Sequence, residues 1–178
     1  KVNTNPARAL YGYSGSSIPK VYGSFTNNFT FKGFFLDALF TYQWGGKVYD
    51  GNYATLMSVD PNGDALHVDA MKAWQNPGDI TNIPKLTTVN TSYATSASSR
   101  WLRSSDYISL RTLTFGYKVK PDVVNELGMS ALRLFVSGEN LWAKTDIQGL
   151  EPAQSIGGGT SYRYIPSRII TFGLNATF

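Results

Sequence analysis

Few side chains in this sequence combine the types and the spacing that chemistry needs. Asp60, Asn62 and Asp64 alternate oxygen donors as a calcium loop does, yet Met71 stands where such a loop needs its acidic twelfth ligand. No calcium site is expected. Asp37 and Glu139 could suggest a carboxylate pair for glycoside hydrolysis, but each falls on a different predicted strand, where solvated or ion-paired lining is the simpler role. Cysteine is absent, which removes thiolates and disulfides, and His67, the one histidine, leaves little for a histidine-based triad or metal site and reads as a surface or loop residue. Gly157-Gly158-Gly159 lacks the strand, helix and lysine context of a phosphate loop and reads as flexible chain. No catalytic set, metal or cofactor is expected. What remains is Trp74, Tyr93, Trp101 and Arg103, aromatic and cationic residues within one long polar stretch. Such groups suit sugar rings and protein interfaces alike, and they also suit packing a long loop against itself.

The elements that would position these residues are strands. Only 16% of the residues are charged, against roughly 25% in soluble domains, while 11 Tyr, 10 Phe and 4 Trp favour β structure. A mean hydropathy of −0.19 does not separate water from membrane, because alternating strands average to near neutral. No run approaches the roughly 18 apolar residues of a spanning helix. The net charge of +4 is scattered, so no nucleic acid partner is expected. Neither an initiating Met nor a signal segment opens the sequence, which reads as a piece of a longer chain.

Period-two alternation marks five strands. Val21, Phe25, Phe29 and Phe31 share a face opposite Tyr22, Ser24, Thr26, Asn28 and Thr30. Lys32-Gly33 predicts a tight reversal into Phe34, Leu36, Ala38, Phe40, Tyr42 and Trp44, opposite Asp37, Thr41 and Gln43. Residues 45–106 form a polar excursion of about sixty residues, too long to be idle and so functional or separately folded. Leu113, Phe115, Tyr117 and Val119 define a third strand, and Pro121 to Gly128 a short helix with Pro at its start and Gly at its C-cap. Leu132, Leu134, Val136 and Trp142 mark a fourth strand. In the fifth, Ile170, Phe172, Leu174, Ala176 and Phe178 oppose Thr171, Gly173, Asn175 and Thr177. None of these apolar faces carries a charge, as lipid contact demands, and the connections run tight, long, short, long as outer-membrane barrels require. Tyr42, Trp44 and Trp142 would then form an outer aromatic girdle, with Phe31, Phe34, Tyr117 and Phe178 forming the inner one.

Ordered motifs along the chain carry a family resemblance. Ile18 to Asn27, Phe40-Thr41-Tyr42-Gln43-Trp44-Gly45-Gly46-Lys47-Val48-Tyr49-Asp50, Trp74 to Asp79, Leu110 to Tyr117, Leu132 to Leu141 and Arg168 to Phe178 together resemble the C-terminal end of SusC-like TonB-dependent outer-membrane transporters. The resemblance implies an all-β fold, the last five or so strands of an antiparallel transmembrane β-barrel of about 22 strands with long extracellular loops. It assigns residues 1–20 to an incoming extracellular loop, 45–106 to a long extracellular loop and 167–178 to the closing strand, with the plug domain outside this chain. It further implies a cell outer-membrane location, nutrient import of an oligosaccharide or peptide, a SusD-like surface lipoprotein partner and coupling to TonB through the missing N-terminal part. Thr171, Gly173, Ala176 and Phe178 would be the signal read by the outer-membrane assembly machinery, with Ala176 smaller than the usual residue there.

Two other readings share the alternation. A soluble β-sandwich carbohydrate-binding module would bury the girdle residues in a core. A complete small barrel, serving as adhesin or structural protein, would need about eight strands, with extra ones hidden in Tyr53–Val59 and Leu66–Met71.

Overall fold

The computed structural model describes residues 10–59, 63–87, 96–147, 149, 153, 157–160 and 164–178. Strand β1 (Val21–Phe31) turns into β2 (Phe34–Trp44) through Lys32 and Gly33, whose φ of 48° and 91° are the paired positive values of a two-residue hairpin turn. The short β3 (Lys47–Tyr49) and helix α1 (Gly51–Leu56) follow, then two 3-10 turns, Val68–Lys72 and Ser99–Trp101. β4 (Leu102–Ser104) pairs with β3 as a separate two-stranded ribbon. β5 (Tyr107–Lys118), α2 (Pro121–Glu126), β6 (Ala131–Thr145) and β7 (Ile169–Thr177) complete the order.

The main sheet is antiparallel throughout, in the order β1-β2-β5-β6-β7. Its two outer strands do not pair with each other, so the sheet is open. All five predicted strands form, as does the helix that Pro121 starts and Gly128, at φ 71°, ends. The Lys32-Gly33 turn and α2 lie at one end of the sheet, the turn end, while the chain enters β1, leaves β2 for β5 and leaves β6 for β7 at the other, the loop end.

Register shows one continuous apolar face. Phe29 pairs with Leu36, Leu36 with Phe115, Phe115 with Val136, and Val136 with Phe172, so one row crosses all five strands. Every exposed large hydrophobic of these strands lies on that face except Tyr22 and Ile169. Phe172 at 81% and Leu174 at 61% exposure have no cover. A sandwich would bury this face under a second sheet, and among the described residues no such sheet exists.

Strict alternation fails at one place, which the sequence reading missed. Between Leu110 and Thr112 the register shifts, so Ile108 and Leu110 rejoin the apolar face beside Leu113 and Phe115. The extra residue, Arg111, donates from Nη1 to Asn140 Oδ1 at 3.2 Å, and Asn140 itself takes φ 51°. Asn tolerates that left-handed conformation because its short amide bonds locally, and here Nδ2 donates to the Ser167 carbonyl at 3.2 Å. The bulge thereby ties β5, β6 and the approach to β7 together.

Candidate functional site

The long excursion has a core of its own. Ala54, Met57, Ala70, Ala73, Ile83 and Trp101 are buried together, flanked by Tyr49, Tyr53 and Leu86. α1 supplies Ala54, and its N-cap Asp50 accepts from the Tyr53 amide at 3.0 Å. Thus Tyr53–Val59 and Leu66–Met71 become a helix and a 3-10 turn, with no added barrel strand in them. Trp101 is 1% exposed and donates from Nε1 to the Ser96 carbonyl at 3.1 Å, so its indole organises the loop and offers no open face to a ligand. Of the two roles the sequence leaves open to Trp101, contact or packing of the loop against itself, this burial fits packing.

Around Trp101 the polar groups form a chain of contacts. Tyr53 meets Trp101 edge-on at 5.9 Å between centroids and His67 at 4.8 Å. The Arg103 guanidinium lies 4.9 Å from the Tyr53 ring, and that of Arg100 4.7 Å from the Trp101 ring. Tyr53 donates its hydroxyl to Asp69 Oδ2 at 3.1 Å, and Lys72 donates to Asp69 Oδ1 at 2.6 Å. Burial, then the Asp69 hydrogen bond, push the Tyr53 phenol up. The Lys72 hydrogen bond holds the Asp69 carboxyl below its ordinary range, and the same contact raises Lys72. His67 Nδ1 lies 3.4 Å from Asp69 Oδ2 and accepts the Asp69 amide at 3.1 Å, so the side chain caps the Val68–Lys72 turn. At Trp74 to Asp79 the amides of Gln75 and Asn76 donate to Asp79, both at 2.9 Å, and lower its pKa.

The structure therefore places the four expected contact residues differently. Arg103 is exposed and stacked on Tyr53, Trp74 is half-buried with its amide bonded to the Ile83 carbonyl at 2.9 Å, Trp101 is core, and Tyr93 lies outside the described residues. Asp60 and Asn62 also lie outside them, and Asp64 is exposed. The glycine-rich loop has a structural job: Gly158 accepts from the Tyr49 amide at 2.8 Å, and Gly159 bridges Tyr49, docking onto β3. Lys47 donates from Nζ to the Ser14 carbonyl at 2.8 Å, so three connections gather over the loop end.

Below this layer, the second face of the sheet is polar and mutually bonded. Thr41 pairs with Ser109 and Thr114 with Ser137, both at 2.8 Å between hydroxyls, and Gln43 donates to Ser105 Oγ at 2.9 Å. Asn28 donates to Asp37 at 2.7 Å. Asp37 and Glu139 sit two strands and two residues apart in register, roughly 12 Å by strand geometry, which is no carboxylate pair. Sequence reasoning missed a row at the turn end, Phe35-Gly116-Phe135-Gly173, in which a glycine lies beside each phenylalanine. A Cβ on Gly116 would meet the Phe35 ring, and one on Gly173 the Phe135 ring. Glycine inside a strand was the available signal, since it marks close approach of another group. Arg133, one row on from Phe135's flank, stacks against both rings.

Comparison with known proteins follows this geometry. No family model matches the chain. It is 32% identical over 176 residues to TonB-dependent receptor P39 and 28% identical over 175 residues to TonB-dependent receptor P3, both of Formosa agariphila. Over 92% of its length the chain is thus similar to a segment of proteins named TonB-dependent receptors. These matches cover 17% of each relative, so the chain spans about a sixth of their length. Its fold is that of the RagAB peptide importer in the 'closed-closed' state (TM-score 0.78, 21% identity, 93% of this chain and 18% of that one). The RagAB importer in the 'open-open' state gives a TM-score of 0.73 at 20% identity, over 92% of this chain and 18% of that one. The segment is thus an open antiparallel sheet whose fold matches part of those chains.

Proposed function

We propose that this segment is the C-terminal wall and part of the extracellular loop layer of a SusC-like outer-membrane transporter that imports a nutrient, an oligosaccharide or a peptide. The observation that carries this reading is the uncovered apolar face running in register across all five strands, backed by a hydrogen-bonded polar face. Only lipid accommodates the first and only a watery or protein-filled lumen the second. The loop end faces outward, and residues 1–20 and 45–106 form part of the outer layer. There Arg103 and Trp74 contact cargo or a SusD-like lipoprotein, Tyr93, outside the described residues, shares that role, and Trp101 supports the loop from its core. Residues 167–178 close the barrel, and Thr171, Gly173, Ala176 and Phe178 present themselves to the assembly machinery. Import needs a plug domain and TonB coupling from elsewhere in the parent polypeptide. The segment supplies wall and loops, and no covalent chemistry.

The test is the parent polypeptide in the source membrane fraction, detected through a peptide of this segment. A heat-modifiable outer-membrane band on the order of 100 kDa, the size implied by 176 residues making up 17% of a relative, supports the reading. A detergent-free soluble band near the segment's own 19.6 kDa overturns it. Uptake of labelled oligosaccharide against labelled peptide then names the cargo class.

A further inference from the structure

The apolar face of the sheet changes character at the loop end. One row beyond Trp142 stands Lys144, paired with Ile108, and Arg168 comes two residues before Ile170, on the same side by the period of the strand it leads into. Both side chains are exposed, and among the described residues neither has a hydrogen bond or an ion pair. The uncharged face thus ends in cations.

Beside them the irregularity that carries Arg111 opens a small pocket. Between the pairs Leu110–Trp142 and Thr112–Glu139, β5 places Arg111 alone while β6 places Asn140 and Leu141. Leu141 and Trp142 consequently share the apolar side: a Cβ on Gly138, which lies in an apolar row, would meet the Leu141 side chain, and Trp142 pairs with Leu110. The pocket, about 150 Å³, is lined by Leu110, Leu141, Trp142 and Ile165 together with Arg111 and Arg168, and no carboxylate lines it. Asn140, also in the lining at φ 51°, accepts from Arg111 Nη1 at 3.2 Å and so fixes that guanidinium. A plain strand pair would avoid the left-handed residue; a bulge re-aims a side chain.

An apolar floor beside two guanidiniums suits an amphiphile with an anionic head. Sites for whole small molecules run to about 300–1,000 Å³, so this pocket takes one headgroup-sized group and no cargo molecule. Its place on the apolar side, level with Trp142, also separates it from the polar face. Guanidinium edges offer a phosphate paired N–H donors, and Lys144 adds charge from the next row.

We propose that Arg168 and Arg111 bind the phosphate of an anionic lipid in the outer leaflet, with its chains lying along Trp142 and Leu141. The site rests on the reading of this sheet as a barrel wall whose apolar face meets lipid.

The full-length parent, stripped of lipid in detergent and checked for heat modifiability, is titrated with phosphatidic acid, with diacylglycerol of the same chains and with inorganic phosphate, and bound copies are counted by native mass spectrometry. Phosphatidic acid is expected to bind about tenfold more tightly than diacylglycerol, and an equal concentration of inorganic phosphate should not displace it. Arg168→Glu, which leaves the Arg111–Asn140 contact in place, should weaken phosphatidic acid by about tenfold and Arg168→Gln by about threefold. Lys85→Glu makes the same charge change at an exposed loop position and should leave binding as it was. Where Arg168→Glu does not assemble, Arg168→Gln decides. In a heat-modifiable parent, equal binding of the two lipids, displacement by inorganic phosphate, unchanged binding in the Arg168 variants or an equal loss in Lys85→Glu overturns the site and leaves the transporter reading intact. A parent that shows no heat-modifiable barrel overturns the wall reading, and the site with it.

Discussion

The strand wall and the loop layer of this chain obey opposite solvent rules. In the loop layer Trp101, Met57, Ala54 and Ile83 are buried, while Arg103, Arg100 and Lys72 are exposed, as in any small domain in water. In the wall the exposed large side chains gather on the apolar face, and the tightest burial is at Phe35, Gln43 and Ser109 on the other face. One polypeptide thus carries two cores, a packed apolar one above and a hydrogen-bonded polar surface below. The difference teaches that the two regions are meant for different surroundings, and each can be broken without the other.

The largest effect is expected in the loop. Trp101→Ala removes the centre of its core and should cost about 3–5 kcal/mol of local stability. Hydrogen exchange and protease cleavage should rise across residues 45–106 while the five main strands stay protected; equal loss in the strands would mean the two regions are one cooperative unit. Next comes the wall. Leu174→Arg on the apolar face should lower outer-membrane assembly of the parent by an amount equivalent to about 2–4 kcal/mol, while Asn175→Arg on the polar face should not. Equal assembly of the two variants would contradict the assignment of faces.

Smaller effects sharpen the contrast. Gly173→Ala drives a methyl into the Phe135 ring and should destabilise by about 1–3 kcal/mol, whereas Gly157→Ala in the loop layer meets open space and should be close to neutral; thermal melts of the parent would rank them. Asp50→Ala removes the N-cap of α1 and should cost about 1 kcal/mol, read as faster exchange in Gly51–Leu56 alone. The smallest effect is acid dependence at Asp69. Its folded carboxyl titrates below its unfolded value of about 3.9, so its contribution is present above that pH and lost as pH falls through the lower folded value. Exchange at Val68–Lys72, corrected for intrinsic rate, should rise over that window, and Asp69→Asn should flatten the rise.

Much of the wall was legible beforehand because alternation is a local property. Each residue's face follows from its neighbours two positions away, so Val21–Phe31 and Ile169–Thr177 could be read with their apolar sides correct. The helix after Pro121 was equally legible, since Pro and Gly act on the residues beside them. Less of the candidate site was. Trp101 was open to either a contact or a packing role, because a tryptophan in a polar stretch carries no mark of its depth; Ala54, Met57, Ala70 and Ile83, spread over thirty residues, bury it. The Arg111 bulge went unread for the same reason, because the partner that accommodates it, Asn140, lies on another strand.

By itself, then, the sequence determined that this chain makes five two-faced strands, one short helix and one long excursion. Tertiary structure alone decided the register that joins the apolar faces into one surface, the folding of the loop around Trp101 and the stacking of Arg133 between Phe35 and Phe135. The physical reason is range. Backbone period and turn preference act over a few residues, whereas register, core membership and the partners of a buried charge are settled between residues far apart in the chain, where packing and hydrogen bonding have the final word.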